Sequence, residues 1–276
     1  ILFRSLGPAQ AIEVVAVDHG PGILAIADAL RDRYSTTGTA GTGLGAVGRI
    51  ASQFELHSTP PAGSVILARI GVVPMASDGV ASGGICVPKH GESVSGDAWA
   101  ETVTGAVRRV MVADGVGHGP DAARAATEAV RVFRTHQETP LPDLFRYLHE
   151  ALRPTRGASI AVAELDAGAR RLRYVGVGNI VAAIAPAPGG TGASQRNLVS
   201  HPGTVGHELR RVQEFVEDWP RGATLVMHSD GARARWTLAA YPGLANRDPA
   251  VLAGVLYRDF SRGTDDVTVV ALRATR

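Results

Sequence analysis

Residues 110–120, with the sequence VMVADGVGHGP, determine how the second part of this chain folds. Three apolar residues and one small residue lead to Asp114, glycines follow, and Pro120 suits the first turn of a helix. The pattern predicts a buried strand over 107–113 that ends in a carboxylate, then a sharp glycine turn. Apolar residues at helical spacing then predict a helix over 120–135.

Three other acidic stretches also stand at the ends of predicted strands: Ser95-Gly96-Asp97, Ser229-Asp230-Gly231 and Thr264-Asp265-Asp266. An Asp-Gly pair alone is an ordinary turn, and Asp166 is expected only to turn a hairpin. Several carboxylates in one place repel one another unless cations neutralise them. Oxygen ligands suit Mg²⁺ or Mn²⁺, and two such ions can activate water and hold a phosphoryl group. The four stretches therefore predict a two-metal hydrolase of phosphate esters.

The composition is that of a globular protein, with 45% hydrophobic and 20% charged residues in a chain of 276. A formal net charge of +2 with scattered arginines does not favour nucleic acid as a partner. No apolar run approaches the roughly 20 residues that cross a bilayer, so no membrane partner is expected. The one cysteine, Cys86, favours a reducing cytoplasm.

A small-residue stretch at 71–84 reads as a connector between two parts. Before it, the pattern predicts strands at 12–17 and 64–70 and helices at 24–33 and 46–54. After it, hairpins and helices interleave, which predicts antiparallel sheets with helices outside. The predicted elements there are strands at 99–103, 107–113, 160–165, 172–177, 209–216, 223–227 and 267–272, and helices at 120–135, 141–152 and 249–260.

Over residues 80–276 the acidic motifs resemble those of metal-dependent type 2C protein phosphatases. The matching stretches are 95–99 (SGDAW), 112–119 (VADGVGHG), 229–231 (SDG) and 263–268 (GTDDVT). The bacterial branch of SpoIIE-like and RsbX-like phosphatases is the most similar. This resemblance implies a four-layer α-β-β-α sandwich with two Mn²⁺ or Mg²⁺ ions at one edge.

The resemblance also implies the metal ligands, which are Asp97, Asp114, Gly115, Asp230, Asp265 and Asp266. Asp114 would bridge the ions and Gly115 would offer its carbonyl, while Asp97 would lie beside the first ion. Asp230 and Asp265 would hold the second ion, with Asp266 in a supporting role. The nucleophile would be a hydroxide activated by the two metals.

The catalytic residues implied by the same motifs are Asp114 and His118. Two interpretations of His118 stay open. It could act as a general acid, or it could stabilise the loop before the helix at 120–135.

A second constellation precedes the connector, at 18–23 (DHGPGI) and 41–45 (GTGLG). A carboxylate can accept a hydrogen bond from an adenine amino group, and glycine turns before a helix can hold phosphates on backbone N–H groups. The stretch 10–70 resembles the second half of a histidine-kinase-like (GHKL-type) ATP-binding domain, as in RsbT-like switch serine kinases and anti-sigma kinases. The implied nucleotide-binding residues are Asp18, Gly20, Gly22, Gly41, Gly43 and Gly45. The helix that holds the metal and the catalytic acid in that family has no match, so ATP binding stays open.

These features together predict an α+β protein in three parts. The parts are a partial two-layer ATPase module at 1–71, a linker at 72–84 and a phosphatase domain at 85–276. The expected function is metal-dependent hydrolysis of phosphoserine or phosphothreonine on a cytoplasmic regulatory protein of the anti-sigma antagonist (STAS-like) or stressosome type. Two alternatives stay open: a catalytically degenerate scaffold that binds a signalling partner, and an ATP-dependent switch serine kinase.

Overall fold

The computed structural model describes residues 1–6, 11–31, 43–73, 78–188 and 194–275. Within these ranges the chain forms three antiparallel sheets and five α-helices. None of those helices combines the length and the apolar character that crossing a bilayer requires.

The second part of the chain contains two five-stranded sheets. Their orders are β12-β9-β8-β7-β6 and β11-β10-β13-β14-β5. The strands are β5 (Val80–Val87), β6 (Asp97–Thr104), β7 (Val107–Gly115), β8 (Ala158–Asp166), β9 (Arg171–Val177), β10 (Val181–Ala185), β11 (Arg196–Asn197), β12 (Phe215–Asp218), β13 (Thr224–His228) and β14 (Val267–Ala274). The helices are α3 (Pro120–Thr135), α4 (Leu141–Leu152) and α5 (Pro249–Phe260).

The two sheets face each other across an apolar layer. Alternate residues of β7 show this, because Val110 and Val112 pack toward the other sheet whereas Met111 and Ala113 pack toward α3 and α4. Helix α5 covers the outer face of the second sheet through β5 and β14. The four layers are therefore α-β-β-α, as the resemblance implied, and each fully buried Leu, Val or Phe stabilises them by about 1.5–3 kcal/mol.

Glycine permits the close approach of α5 to its sheet. A Cβ on Gly83 of β5 would lie 2.2 Å from the backbone nitrogen of Ala250, and one on Gly84 would lie 2.8 Å from the indole of Trp99. These small residues made 71–84 resemble a connector, but β5 pairs with β14 along its whole length and begins at Val80. The strand therefore crosses the expected boundary between linker and phosphatase domain.

The first part of the chain adds a fifth layer that the sequence did not reveal. Its sheet has the order β1-β2-β4-β3. Its elements are β1 (Leu2–Leu6), β2 (Ala11–Val17), α1 (Ile26–Ala29), α2 (Gly43–Ile50), β3 (Gln53–Thr59) and β4 (Gly63–Ile70). One face of this sheet packs on α5, where Val15, Val65 and Leu67 share a buried cluster with that helix. Helix α5 thus lies between two sheets.

A buried ionic network joins the amino-terminal sheet to the start of α5. The guanidinium of Arg69 donates to the carboxylate of Glu13 at 2.6 Å and to that of Asp248 at 2.7 Å. The side chain of Asp248 also accepts from the Ala250 N–H and so caps α5. Glu13 is 1% exposed and Asp248 is 8% exposed, so both charges need compensation: Arg69 serves both, and Arg4 also donates to Glu13 at 2.9 Å.

Most predicted elements of the second part are confirmed, and three helices have the predicted bounds. Three other predictions were wrong. The helix expected at 24–33 is only Ile26–Ala29 among the described residues, and that expected at 46–54 ends at Ile50, because Phe54 belongs to β3. The strand expected at 209–216 is a strand only from Phe215 onward. The second and third errors lie where strand pairing with β4 and with β9, rather than local pattern, sets the structure.

Replacing Arg69 tests whether the amino-terminal sheet is an integral layer. We expect Arg69→Met to lower the free energy of unfolding by about 3–5 kcal/mol, because it leaves the buried Asp248 without a cationic partner among the described residues and leaves Glu13 with Arg4 alone. Urea denaturation followed by circular dichroism measures this. The exposed Arg211 offers a matched control, since Arg211→Met should change stability by less than about 0.5 kcal/mol. Equal stability of the two variants would contradict the assignment.

Candidate active site

The acidic stretches meet at one edge of the space between the two large sheets. Asp97 and Asp114 are direct partners in the antiparallel register of β6 and β7. Because Val110 and Val112 face the opposite sheet, alternation puts Asp114, and therefore Asp97 across from it, on the same inward side. The hairpin thus places two carboxylates side by side at its open end.

The opposite sheet brings its own polar residues to this edge. Ser229 follows β13, and its hydroxyl donates a hydrogen bond to Oδ2 of Asp97 at 2.5 Å. The same hydroxyl accepts from the backbone N–H of Thr268 in β14 at 2.9 Å. These bonds hold Asp97 in a fixed orientation and join the two sheets at the site.

The remaining three aspartates surround this pair. Asp230 is exposed, and its Oδ2 accepts a hydrogen bond from the amide of Asn179 at 2.8 Å. Oδ1 of Asp265 accepts from the N–H of Asp266 at 2.9 Å. Asp266 is buried, and its Oδ1 accepts from the N–H of Lys89, whereas its Oδ2 has no hydrogen-bond partner among the described residues.

The pKa values show that these carboxylates share one electrostatic environment. Burial raises the pKa of Asp114 to about 8, with further contributions from the charges of Asp97, Asp230 and Asp265. Burial also raises the pKa of Asp97 to about 7, where hydrogen bonds from Ser229 and Thr268 oppose the shift and the charges of Asp266 and Asp230 add to it. Five carboxylates therefore converge, and without cations they destabilise one another.

Glycines let the acidic stretches pack directly on one another. A Cβ on Gly96 would lie 2.8 Å from Oδ2 of Asp266, and one on Gly231 would lie 2.0 Å from the Asp266 carbonyl. A Cβ on Gly115 would lie 2.3 Å from the carbonyl of Ala122 at the start of α3. A larger residue at Gly96 or Gly231 would displace Asp266, and one at Gly115 would displace the start of α3.

The donor set fits hard divalent cations. Its members are carboxylate oxygens, including the unpartnered Oδ2 of Asp266, and such oxygens are the preferred ligands of Mg²⁺ and Mn²⁺. In the described part of the chain, no three His, Cys, Asp or Glu side chains already stand in positions that would enclose one ion. Asp97, Asp230 and Asp266 each accept a hydrogen bond through one carboxylate oxygen, so the second oxygen of each is the one that an ion would use.

The loop after Asp114 contains a contact that the sequence did not predict. Nδ1 of His118 lies 2.7 Å from Oε1 of Glu92, so a carboxylate orients the imidazole ring. Asn179 was also missed, although it follows a predicted strand just as the aspartates do. Glu92 had no comparable signal, because it lies in an irregular segment that only the tertiary fold brings to His118.

The glycine motifs of the amino-terminal part have structural contacts of their own. Oδ1 of Asp18 accepts from the N–H of Gly20 at 2.8 Å, which closes a turn at the end of β2. Gly22 has a φ of +74° and leaves no room for a side chain beside Pro60. Gly43 begins α2 and Gly45 is buried within it, while Gly41 lies outside the described residues.

The sequence matches the family described as Stage II sporulation protein E (SpoIIE) over residues 105–275. A shorter similarity, 37% identity over 59 residues, links the chain to the serine/threonine-protein kinase RsbT of Bacillus subtilis (strain 168). That match covers 21% of this chain and 44% of RsbT, so the chain spans less than half of this curated relative.

Solved structures resemble the chain over a longer range. One, described as "The bacterial stressosome: a modular system that has been adapted to control secondary messenger signaling", is 28% identical, with a TM-score of 0.64. The alignment covers 70% of this chain and 99% of that one. RsbX in complex with magnesium is 17% identical, with a TM-score of 0.59 and coverage of 70% and 94%. At that identity RsbX supports the fold alone.

Charge repulsion at this edge predicts a stabilising substitution. The pKa of Asp114 is about 8 in the folded chain and about 4 in an unfolded one. Its protonated form therefore favours folding at low pH, and this stability is lost as the pH rises from about 4 to 8. In a chelating buffer, Asp114→Asn should be more stable than the unmodified chain by on the order of 1–3 kcal/mol at pH 8, and by less at pH 5.

Thermal unfolding at both pH values, with chelator and then with Mn²⁺, measures this effect. At pH 8, Mn²⁺ should make the unmodified chain more stable than Asp114→Asn, because cations compensate the charges of the intact cluster. Asp166→Asn serves as the control, since within the described ranges that side chain bonds only the Ala169 N–H in a turn and should alter neither difference. A less stable Asp114→Asn protein at pH 8 in chelator would refute the mutual repulsion.

Proposed function

Because the chain belongs to the Stage II sporulation protein E (SpoIIE) family, we propose that it hydrolyses phosphoserine or phosphothreonine on a regulatory protein, with the help of divalent cations. The family and its structural neighbours are serine/threonine protein phosphatases of the type 2C class. The convergence of five carboxylates at one edge of the sandwich carries the proposal for this chain. In a catalytically inactive scaffold, carboxylates that repel one another would only lower the stability of the fold.

The proposed ion ligands are the aspartates at the sandwich edge and one carbonyl. They are Asp97, Asp114, Gly115, Asp230, Asp265 and Asp266. Two Mn²⁺ or Mg²⁺ ions would supply charge neutralisation and activation of water. Neighbouring structures solved with magnesium and with two manganese ions support this choice of metal.

Other residues of the chain orient these groups. Ser229 holds one oxygen of Asp97 and leaves the other for an ion, and Asn179 does the same for Asp230. With Nδ1 of His118 held by Glu92, Nε2 is the ring atom that can pass a proton to the departing serine or threonine oxygen. A structural role of the His118–Glu92 pair in shaping the loop before α3 is the alternative.

The phosphatase domain would begin with β5 and include the remaining described elements. The 59-residue similarity to RsbT supports assigning the amino-terminal part to a partial histidine-kinase-like module. Its Asp18 carboxylate bonds within its own loop, which gives no support to ATP binding. The stressosome structure at 28% identity supports a substrate among phosphorylated regulatory proteins of that type, and the single Cys86 fits a reducing cytoplasm.

Turnover of a generic aryl phosphate with and without Mn²⁺ tests the proposal. We expect metal-dependent hydrolysis, and we expect Asp114→Asn to lower kcat/KM by about 100-fold or more, because it removes a carboxylate that would hold the ions. Asp166→Asn should retain activity within about twofold, since its turn lies at the other end of β8. Bound Mn²⁺ without turnover would instead favour the degenerate scaffold.

A further inference from the structure

Three exposed arginines flank the acidic edge on two short segments. Arg233 and Arg235 follow Asp230 in the chain, and Arg262 precedes Asp265. Both segments adjoin the candidate active site along the chain, since Arg233 lies three residues after Asp230 and Arg262 lies three residues before Asp265. From the sequence alone two interpretations of Arg233 and Arg235 are open: contact with a substrate phosphate, or ordinary surface charge.

Hydrogen bonds hold the two segments together. The N–H of Arg233 donates to the carbonyl of Phe260 at 2.8 Å, and the N–H of Arg262 donates to the carbonyl of Gly231 at 2.9 Å. Ala232 and Ser261 are antiparallel partners between these bonds. Because alternate residues of paired extended segments face opposite sides, Arg233 and Arg262 share one side and the buried Ala232 lies on the other.

The segment that carries Arg233 and Arg235 is anchored at both ends. Ala232 and Trp236 are buried, and the indole Nε1 of Trp236 donates to Nε2 of His228 at 3.0 Å. The amide of Gln195 also donates to the Trp236 carbonyl at 3.2 Å. The exposed segment 233–235 between these anchors therefore has a defined position, which reduces the loss of conformational entropy when a partner binds.

None of the three guanidinium groups forms an ion pair with a carboxylate of the described residues, although five aspartates lie nearby. In contrast, Arg69, Arg108 and Arg258 are all engaged by carboxylates. Arginine binds carboxylate or phosphate through two parallel hydrogen bonds, and such groups on a rim attract oppositely charged partners. The three unpaired side chains therefore offer an anion-binding surface next to a site built for cations.

We propose that Arg233, Arg235 and Arg262 form an arginine rim that selects phosphoprotein segments with acidic side chains next to the phosphorylated residue. The inference rests on the proposed function, because the phosphate itself would occupy the aspartate edge. Acidic flanks on the substrate would otherwise be repelled by the aspartates, and the rim compensates this repulsion. The rim should act on substrate affinity and on its dependence on salt.

Two phosphoserine peptides of equal length, one with Glu and one with Lys beside the phosphoserine, test this substrate preference. With Mn²⁺, the unmodified chain should prefer the Glu peptide by about tenfold in kcat/KM, mainly through KM, and salt should weaken the preference. The combined variant Arg233→Gln, Arg235→Gln, Arg262→Gln should reduce the preference to about twofold or less. The charge-matched control Arg134→Gln, Arg211→Gln, Arg221→Gln replaces exposed arginines elsewhere and should keep it.

Several outcomes would overturn the arginine rim. The first is equal kcat/KM for the two peptides with the unmodified chain, and the second is loss of the preference in the control variant. The third is an equal fall of kcat/KM for both peptides in the rim variant while its unfolding temperature stays unchanged. This third outcome would mean that the arginines contact the phosphate group, which both peptides share, and not the acidic residue beside it. An absence of metal-dependent turnover of either peptide by the unmodified chain would refute the proposed function instead.

Fluorescence anisotropy tests the rim even if turnover is absent. The labelled Glu phosphopeptide is titrated against Asp114→Asn protein with and without the three rim substitutions. Binding weakened about tenfold by the rim substitutions would support the proposal, and equal affinity would overturn it.

Discussion

The repulsion among carboxylates gathered between two sheets is the constraint on which the candidate active site depends. The β6–β7 register puts Asp97 beside Asp114, and β13 and β14 bring the other three aspartates to the same edge. At this edge burial and mutual charge raise the pKa values of both paired residues, so the ionised cluster opposes folding. The apolar layer between the sheets stabilises the arrangement against this opposition. Stability and chemistry therefore reside in different parts of one sandwich.

Helix α5 connects this sandwich to the amino-terminal sheet. Its first turn is capped by Asp248, which also belongs to the buried network of Arg69 and Glu13. Beyond its last turn, the chain continues through Arg262 to Asp265. The helix thus has an ionic contact to the fifth layer at one end and the candidate active site at the other. The amino-terminal sheet shares an apolar cluster with this helix, so it is a layer of the fold and not an appendage.

Local pattern predicted the elements whose own residues determine them. Pro120–Thr135 has apolar residues at helical spacing and a proline in its first turn, and it forms as predicted. β5 could not be recognised in the same way, because Gly83 and Gly84 resemble a connector until Ala250 and Trp99 are placed against them. The Glu92–His118 contact joins residues 26 positions apart through two irregular segments, and no periodicity encodes such a contact.

The sequence by itself determined which carboxylates stand at strand ends, because an apolar run that stops at an aspartate places that aspartate at the edge of a sheet. It also determined the helices that cover the sandwich. Only the tertiary structure decided that Asp97 and Asp114 are direct partners and that an additional sheet packs on α5. It also decided that Ser229 donates a hydrogen bond to Asp97 and that Asn179 donates one to Asp230. These features depend on the register and on contacts between distant segments, which become defined only when the sheets pack face to face.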